Sequence, residues 1–184
     1  MKRWIVPALA LLALWGGLRA QSPAAVSAPP AHPSTVIVVR HAEKDPKGDP
    51  KDPGLSEAGS ARAKALAALL APCKPAHLYA SEFQRAQKTL EPLGAALGLK
   101  VEVVPAAKAA ELEKSLRALP AGSVSVVAGH SNTVPALVEA LGGKIEHLEK
   151  GLLAESEYGR VFVLTLPPAG SGVGTSTLEL AYGN

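Results

Sequence analysis

Hydrophobic and polar positions follow two different periods along the chain. Short continuous apolar runs, rich in β-branched residues, are typical of strands buried in a parallel sheet. These runs cover residues 35–39, 77–80, 101–104 and 123–128. Each run is followed by a stretch in which apolar residues recur three and four positions apart, the period of an amphipathic helix. The pattern therefore predicts four units in which a strand leads into a helix.

Two of the predicted helices carry signals at their ends. Ser56 is a suitable N-cap for a helix that runs to about Leu70. The helix over residues 83–97 is expected to stop at Gly98, because glycine readily ends a helix. Pro92 lies inside the same helix and is expected to bend it or break it locally.

Two late apolar runs, Arg160–Leu166 and Thr177–Ala181, have no helix between them. They are expected to pair antiparallel at the edge of the sheet. Together with the four strand–helix units they predict an α/β fold class: a three-layer α/β/α sandwich whose central sheet is mostly parallel with an antiparallel edge. No internal repeat and no second domain is visible in the sequence.

The N-terminal residues differ from the rest of the chain. Lys2 and Arg3 precede an apolar run, and Ala20 ends it before a proline-rich stretch. This order predicts a signal peptide over residues 1–20, a flexible linker over 21–33 and a folded domain over 34–184. An uncleaved membrane anchor is the alternative. The sequence thus predicts an exported protein, periplasmic or extracellular.

The formal net charge of +3 comes from 19 basic and 16 acidic residues. Removing the predicted signal peptide takes away Lys2, Arg3 and Arg19 and leaves 16 of each sign. A near-neutral mature chain gives no support for nucleic acid as a partner, nor for a membrane surface beyond export. Cys73 is the only cysteine, so no internal disulfide can form.

Polar residues suited to phosphate follow three of the predicted strands. The first strand ends in Arg40 and His41, the second leads to Arg85, and the fourth leads to His130. Because ligands bind beyond the carboxyl ends of parallel strands, these side chains are expected at one rim of the sheet. An arginine offers a planar fork of donors for phosphate oxygens, and a neutral histidine can attack phosphorus as a covalent nucleophile.

The free backbone N–H groups near Ser131 and Asn132, at the start of the last predicted helix, would add further phosphate donors. No cluster of residues has metal-ligand spacing. The expected chemistry needs neither a metal nor another cofactor.

Three motifs together resemble one known family, the histidine phosphatase superfamily, also called phosphoglycerate mutase-like. They are V-V-R-H-A-E-K at 38–44, Y-A-S-E-F-Q-R-A-Q-K-T at 79–89 and V-V-A-G-H-S-N-T at 126–133. L-S-E-A-G at 55–59 also resembles the opening of the family's first helix. The resemblance spans about residues 35–166 and implies a phosphoglycerate mutase-like fold.

By this resemblance His41 becomes phosphorylated, while Arg40, Arg85 and His130 complete the phosphate pocket. Ala42 stands where the family most often has glycine. Small branches with R-H-A-E exist and are often exported, so we interpret this departure as the mark of such a subgroup.

The proton donor is the open part of the predicted site. Many family members supply a glutamate after the third strand, where Glu111 and Glu113 lie here. Another branch uses an aspartate directly after the second histidine, a position that Ser131 occupies here. Glu43 is a further candidate because it lies two residues from His41. Glu111 is slightly favoured over Glu43.

The predicted function is hydrolysis of a phosphomonoester, a small phosphorylated substrate, through a phosphohistidine intermediate. Two alternatives stay open: a phosphotransferase of the phosphoglycerate mutase type, and a non-catalytic module that binds a phosphorylated ligand. The natural substrate and the oligomeric state cannot be predicted from the sequence.

Overall fold

A computed structural model describes residues 32–183. This part of the chain contains six strands and four α-helices. The strands are β1 (Ser34–Arg40), β2 (His77–Ala80), β3 (Val101–Val103), β4 (Val124–Gly129), β5 (Arg160–Leu166) and β6 (Ser176–Ala181). The helices are α1 (Glu57–Leu70), α2 (Gln84–Leu97), α3 (Ala109–Arg117) and α4 (Thr133–Ala140).

The six strands form one sheet in the order β3-β2-β4-β1-β5-β6. The four strands from β3 to β1 are parallel to one another. β5 pairs antiparallel with β1, and β6 pairs antiparallel with β5. The predicted mostly parallel sheet with an antiparallel edge is confirmed.

Helices cover both faces of this sheet and create two hydrophobic cores. On one face, Leu66 of α1 and Leu90 of α2 pack with residues from β1, β2 and β4. On the other face, Leu116 of α3 and Val138 of α4 pack with the alternate residues of the same strands and with Phe162. Burial of these apolar side chains contributes most of the driving force for folding. The three-layer α/β/α sandwich is therefore confirmed.

The predicted helix ends agree with the structure, but the predicted break does not. The side chain of Ser56 accepts a hydrogen bond from the backbone N–H of Gly59 at 3.1 Å, so it caps α1 as expected. Gly98 ends α2 with a φ of 68°. The helix continues through Pro92 without a break. Leu90 and Leu93, fully buried on either side, hold both halves against the sheet and offset the lost hydrogen bond.

The predicted signal peptide over 1–20 and nearly all of the linker over 21–33 lie outside the described residues. β1 begins at Ser34, where the folded domain is expected to begin. Within residues 32–183, no helix has the length and apolar character needed to cross a membrane.

Candidate active site

The carboxyl ends of β1, β4 and β2, three neighbouring parallel strands, open into one pocket of about 390 Å³. It brings together the four side chains predicted from the strand ends: Arg40, His41, Arg85 and His130. The other lining residues are Lys44, Pro50, Lys51, Pro53, Phe83, Ala106, Ser131, Asn132, Thr133 and Glu155. This volume is typical of a small-molecule site.

His41 is buried at the floor of the pocket, only 5% exposed. Its Nδ1 lies 2.7 Å from the carbonyl oxygen of Ala42. Because a carbonyl oxygen can only accept, Nδ1 carries the ring proton and Nε2 keeps a lone pair. The Nε–H of Arg85 donates to this Nε2 at 3.3 Å. The nitrogen that can attack an electrophile thus faces the arginine that would bind the electrophile's oxygens.

The rings of His41 and His130 lie 5.2 Å apart, centroid to centroid. Burial, with smaller contributions from His130, Arg85 and Arg40, lowers the pKa of His41 to about 4, against the raising effect of the Ala42 carbonyl. Burial followed by the charge of Arg85 also lowers the pKa of His130 to about 4. Both imidazoles are therefore neutral at physiological pH, the state that a histidine nucleophile requires.

Arg40 is held by the loop that precedes β5. Its Nη1 donates to the carbonyl oxygens of Ala154 at 2.7 Å, Glu155 at 3.2 Å and Glu157 at 3.4 Å. The guanidinium also lies over the ring of Tyr158, 4.3 Å from its centroid. Nε is buried and has no partner among the described residues, while Nη2 contacts the Glu155 carboxylate at 3.3 Å. Nε, and the second N–H of Nη2, are the donors that remain for a ligand.

Arg85 lies in the first turn of α2, with its guanidinium 4.5 Å above the ring of Phe83. Asp52 accepts the backbone N–H of Gln84 at 2.9 Å and lies 3.9 Å from Nη1 of Arg85. The loop before α1 thereby holds the N-terminus of α2 in place. This support keeps the arginine directed at His41.

Thr89 explains the threonine of the second motif. One turn after Arg85, its hydroxyl donates to the Arg85 carbonyl at 2.7 Å. The hydroxyl oxygen of Thr89 also accepts a hydrogen bond from the backbone N–H of Ala42 at 2.9 Å. Thr89 is fully buried. It links the helix that carries the arginine to the residue that follows His41.

His130 is fixed by its own motif. Its backbone N–H donates to the Thr133 hydroxyl at 2.8 Å, and its Nε2 lies 2.7 Å from the Ser81 hydroxyl. Gly129 permits this tight connection, since a Cβ there would lie 2.8 Å from the Thr133 oxygen. Ser131 and Asn132 line the pocket directly before α4, as expected for donors at a helix start.

The carboxylate of Glu43, a predicted proton donor, is paired with Arg62 rather than with His41. Nε of Arg62 donates to both of its carboxylate oxygens, at 2.9 and 3.0 Å. Burial alone would raise the pKa of Glu43, but these hydrogen bonds and the charge of Arg62 hold it below the usual value. The backbone of Glu43 is also packed against Gly59, where a Cβ would collide with its carbonyl oxygen. Glu43 does not line the pocket.

Glu111, the favoured candidate, lies on the first turn of α3 and also falls outside the pocket lining. Its carboxylate pairs with Lys108 at 3.0 Å and is 66% exposed. The carboxylate that does line the pocket is that of Glu155, which contacts Arg40 and Lys44. The structure thus brings neither predicted donor to His41, and their catalytic roles stay predictions.

Several residues of the site were not singled out by the sequence analysis. Ser81 and Thr89 lie inside the second motif, which could have drawn attention to them. Asp52 and Glu155 come from loops and carry no local signal. Only the folded chain shows that these loops close around the strand ends.

Known proteins share this fold. The family model of the histidine phosphatase superfamily (branch 1) matches residues 36–113, which include the first two motifs. No curated protein sequence matches significantly.

Among solved structures, the protein histidine phosphatase SixA complexed with tungstate is similar, with a TM-score of 0.61, 22% identity and 80% of this chain and 96% of that chain covered. The SixA protein from Agrobacterium tumefaciens has a TM-score of 0.54 and 26% identity, over 73% and 93% of the two chains. A mycobacterial glucosyl-3-phosphoglycerate phosphatase with inorganic phosphate has a TM-score of 0.58 and 20% identity, over 82% and 97%.

The fold and the pocket define an α/β protein with paired histidines and arginines at the carboxyl ends of its parallel strands. Residues 36–113 match the family model of the histidine phosphatase superfamily, and the fold is similar to that of solved histidine phosphatases.

Proposed function

We propose that this protein is a phosphatase that hydrolyses a small phosphomonoester through a phosphohistidine at His41. The observation that carries the proposal is the state of His41: a buried, neutral imidazole whose unprotonated Nε2 lies 3.3 Å from an arginine donor. The names of similar structures point the same way, since they include a protein histidine phosphatase and a glucosyl-3-phosphoglycerate phosphatase.

The reaction would proceed in two displacements at phosphorus. In the first, Nε2 of His41 forms a bond to phosphorus, the ester P–O bond breaks, and the alcohol oxygen leaves and takes up a proton from solvent. In the second, water attacks phosphorus and gives up a proton to solvent, the P–N bond breaks, and inorganic phosphate leaves. Dividing one difficult displacement in this way is the usual advantage of covalent catalysis.

The arginines supply the charge that both displacements need. Arg85 contacts the attacking nitrogen, and Arg40, whose Nε has no partner among the described residues, lines the same pocket. They would bind the phosphoryl oxygens, whose negative charge is spread over three atoms during transfer. The backbone N–H groups near Ser131 and Asn132 would complete this cradle.

His130 would act as a neutral hydrogen-bond donor. If the Ser81 hydroxyl donates to Nε2 of His130, the ring proton lies on Nδ1 and can be given to a phosphoryl oxygen. Ser81 and Thr133 are then positioning residues, because they act on the ring and on its backbone rather than on the substrate.

The test is turnover of 4-nitrophenyl phosphate by the purified protein. Its phenolate is a good leaving group and can take its proton from water, so the assay does not depend on a protein acid. We expect saturable release of 4-nitrophenol and competitive inhibition by inorganic phosphate. Tight binding of phosphate by calorimetry with no turnover would instead support a non-catalytic binding module.

We further propose that the protein works outside the cytoplasm. The support is the order of positive, apolar and proline-rich segments in residues 1–33. Expression of the full chain in a Gram-negative host, followed by fractionation and N-terminal sequencing, is the measurement. We expect a mature chain beginning at Gln21 in the periplasmic fraction; an intact Met1 terminus in the cytosol would contradict the proposal.

A further inference from the structure

The pocket is larger than its phosphate-binding floor. Arg40, His41, Arg85 and His130 form the floor, and a phosphoryl group bound by them would fill only a fraction of about 390 Å³. Four of the other lining residues come from the loop between β1 and α1: Lys44, Pro50, Lys51 and Pro53. These outer residues would contact the part of the substrate that lies beyond its phosphoryl group.

Two lysines, Lys44 and Lys51, lie in this outer part. Lys44 is paired with Glu155, its Nζ 3.5 Å from the carboxylate. That carboxylate also contacts Arg40, so it is shared between two cations. Lys51 lines the pocket with no carboxylate within 4.0 Å of its Nζ among residues 32–183. It is an available positive charge at the pocket mouth.

The loop that carries Lys51 is tied down at several points. The backbone N–H of Lys51 donates to the Asp49 carboxylate at 2.8 Å, in a local turn. Next to it, Asp52 accepts the backbone N–H of Gln84 at 2.9 Å. Near the loop's ends, the N–H of Asp45 donates to the Gly54 carbonyl at 2.9 Å. A held loop presents Lys51 at the rim without a large ordering cost when a ligand binds.

We propose that the substrate carries a second anionic group, a carboxylate or a second phosphate, and that Lys51 binds it while the phosphoryl group lies at His41. The inference rests on the proposed phosphatase function, because it assigns the outer part of the same site. A lysine suits either anion, since its ammonium acts as a compact charge with rotatable donors. A plain monoester would leave this charge without a partner.

The experiment compares substrate pairs that differ by the second anion. Glycerol 3-phosphate and 3-phosphoglycerate test the carboxylate; fructose 6-phosphate and fructose 1,6-bisphosphate test the phosphate. We expect the wild type to favour the doubly anionic member of at least one pair by about 2-fold to 5-fold in kcat/KM, as for one solvent-exposed charge pair. In Lys51→Met this ratio should fall to near 1.

Lys47→Met is the matched control. Lys47 is an exposed lysine of the same loop that does not line the pocket. The Lys47→Met variant removes the same charge as Lys51→Met, but at a residue outside the pocket lining. It should therefore leave the ratio of kcat/KM values unchanged. If both variants lower the ratio equally, or if the wild type shows no preference in either pair, a Lys51 anion site is ruled out.

Binding separates this inference from the proposed function. Calorimetry with the same pairs of compounds measures how much Lys51 contributes to binding affinity, and this measurement does not depend on turnover. A preference for the doubly anionic ligand that Lys51→Met removes, in a protein that does not hydrolyse 4-nitrophenyl phosphate, would overturn the phosphatase and retain the anion site. Turnover of that aryl ester with no preference in either pair would overturn the anion site and retain the phosphatase.

Discussion

His41→Ala should lower kcat for 4-nitrophenyl phosphate by at least about 10⁴-fold, since removal of a covalent nucleophile can cost about 10⁶-fold. Water cannot take over as the nucleophile in this variant, because the attacking atom must be held in place. In the wild type, the hydrogen bond from Nδ1 of His41 to the Ala42 carbonyl directs Nε2 at the phosphoryl site. The loss should appear in kcat rather than in binding, since the arginines that hold the phosphate stay in place.

His77→Ala is the matched control for this variant. His77 begins β2, at the opposite end of the strand from Ser81, and stacks on Tyr79. It should keep nearly full activity. Thermal unfolding of both variants would show that the fold survives. Turnover by folded His41→Ala within about 10-fold of the wild type would contradict its role as nucleophile.

Arg85→Ala should lower kcat/KM by about 10³-fold, as expected when a cation that stabilises phosphoryl transfer is lost. The guanidinium joins His41 to the phosphoryl site and lies between the Phe83 ring and Asp52. Arg85→Lys keeps the charge but lacks the planar fork of donors, so it should recover only part of the loss.

Arg117→Ala controls for the loss of one positive charge. Arg117 is an exposed residue of α3 that pairs with Glu113 at 2.9 Å, away from the pocket lining. It should have kinetic constants close to the wild type. Steady-state kinetics and phosphate binding on all three variants provide the test. An Arg85→Lys variant with full activity would show that charge alone is sufficient, against a requirement for the fork.

Much of the pocket floor could be predicted because each part depends on local sequence. Arg40 and His41 directly follow a buried β-branched strand, so the fold class alone places them at the carboxyl edge of the sheet. Arg85 and His130 follow neighbouring strands and meet them there. The parallel order of β1, β4 and β2 turns separate strand ends into one pocket.

The surroundings of the floor could not be predicted, because long-range packing decides them. Glu43 is near His41 in sequence, yet its carboxylate is directed to Arg62 on α1. Glu155 lies 115 residues after Arg40 and reaches it only because the loop before β5 closes over the site. Neither contact leaves a periodic or compositional trace.

The helix is unbroken at Pro92 for a related reason. A proline inside a helix removes one hydrogen bond, and the sequence shows that cost directly. It does not show that Leu90 and Leu93 are fully buried and hold the helix on both sides of the proline. Tertiary packing therefore overrides the local signal.

The central claim is that His41 carries the phosphoryl group during the reaction. Its most direct test is rapid alkaline quenching of the wild type during turnover of 4-nitrophenyl phosphate, followed by peptide mass spectrometry, since phosphohistidine is labile in acid. We predict one phosphoryl group on His41, absent from His41→Ala and lost when the sample is acidified. A phosphoryl group on His130 or Ser81, or an acid-stable adduct, would contradict the mechanism.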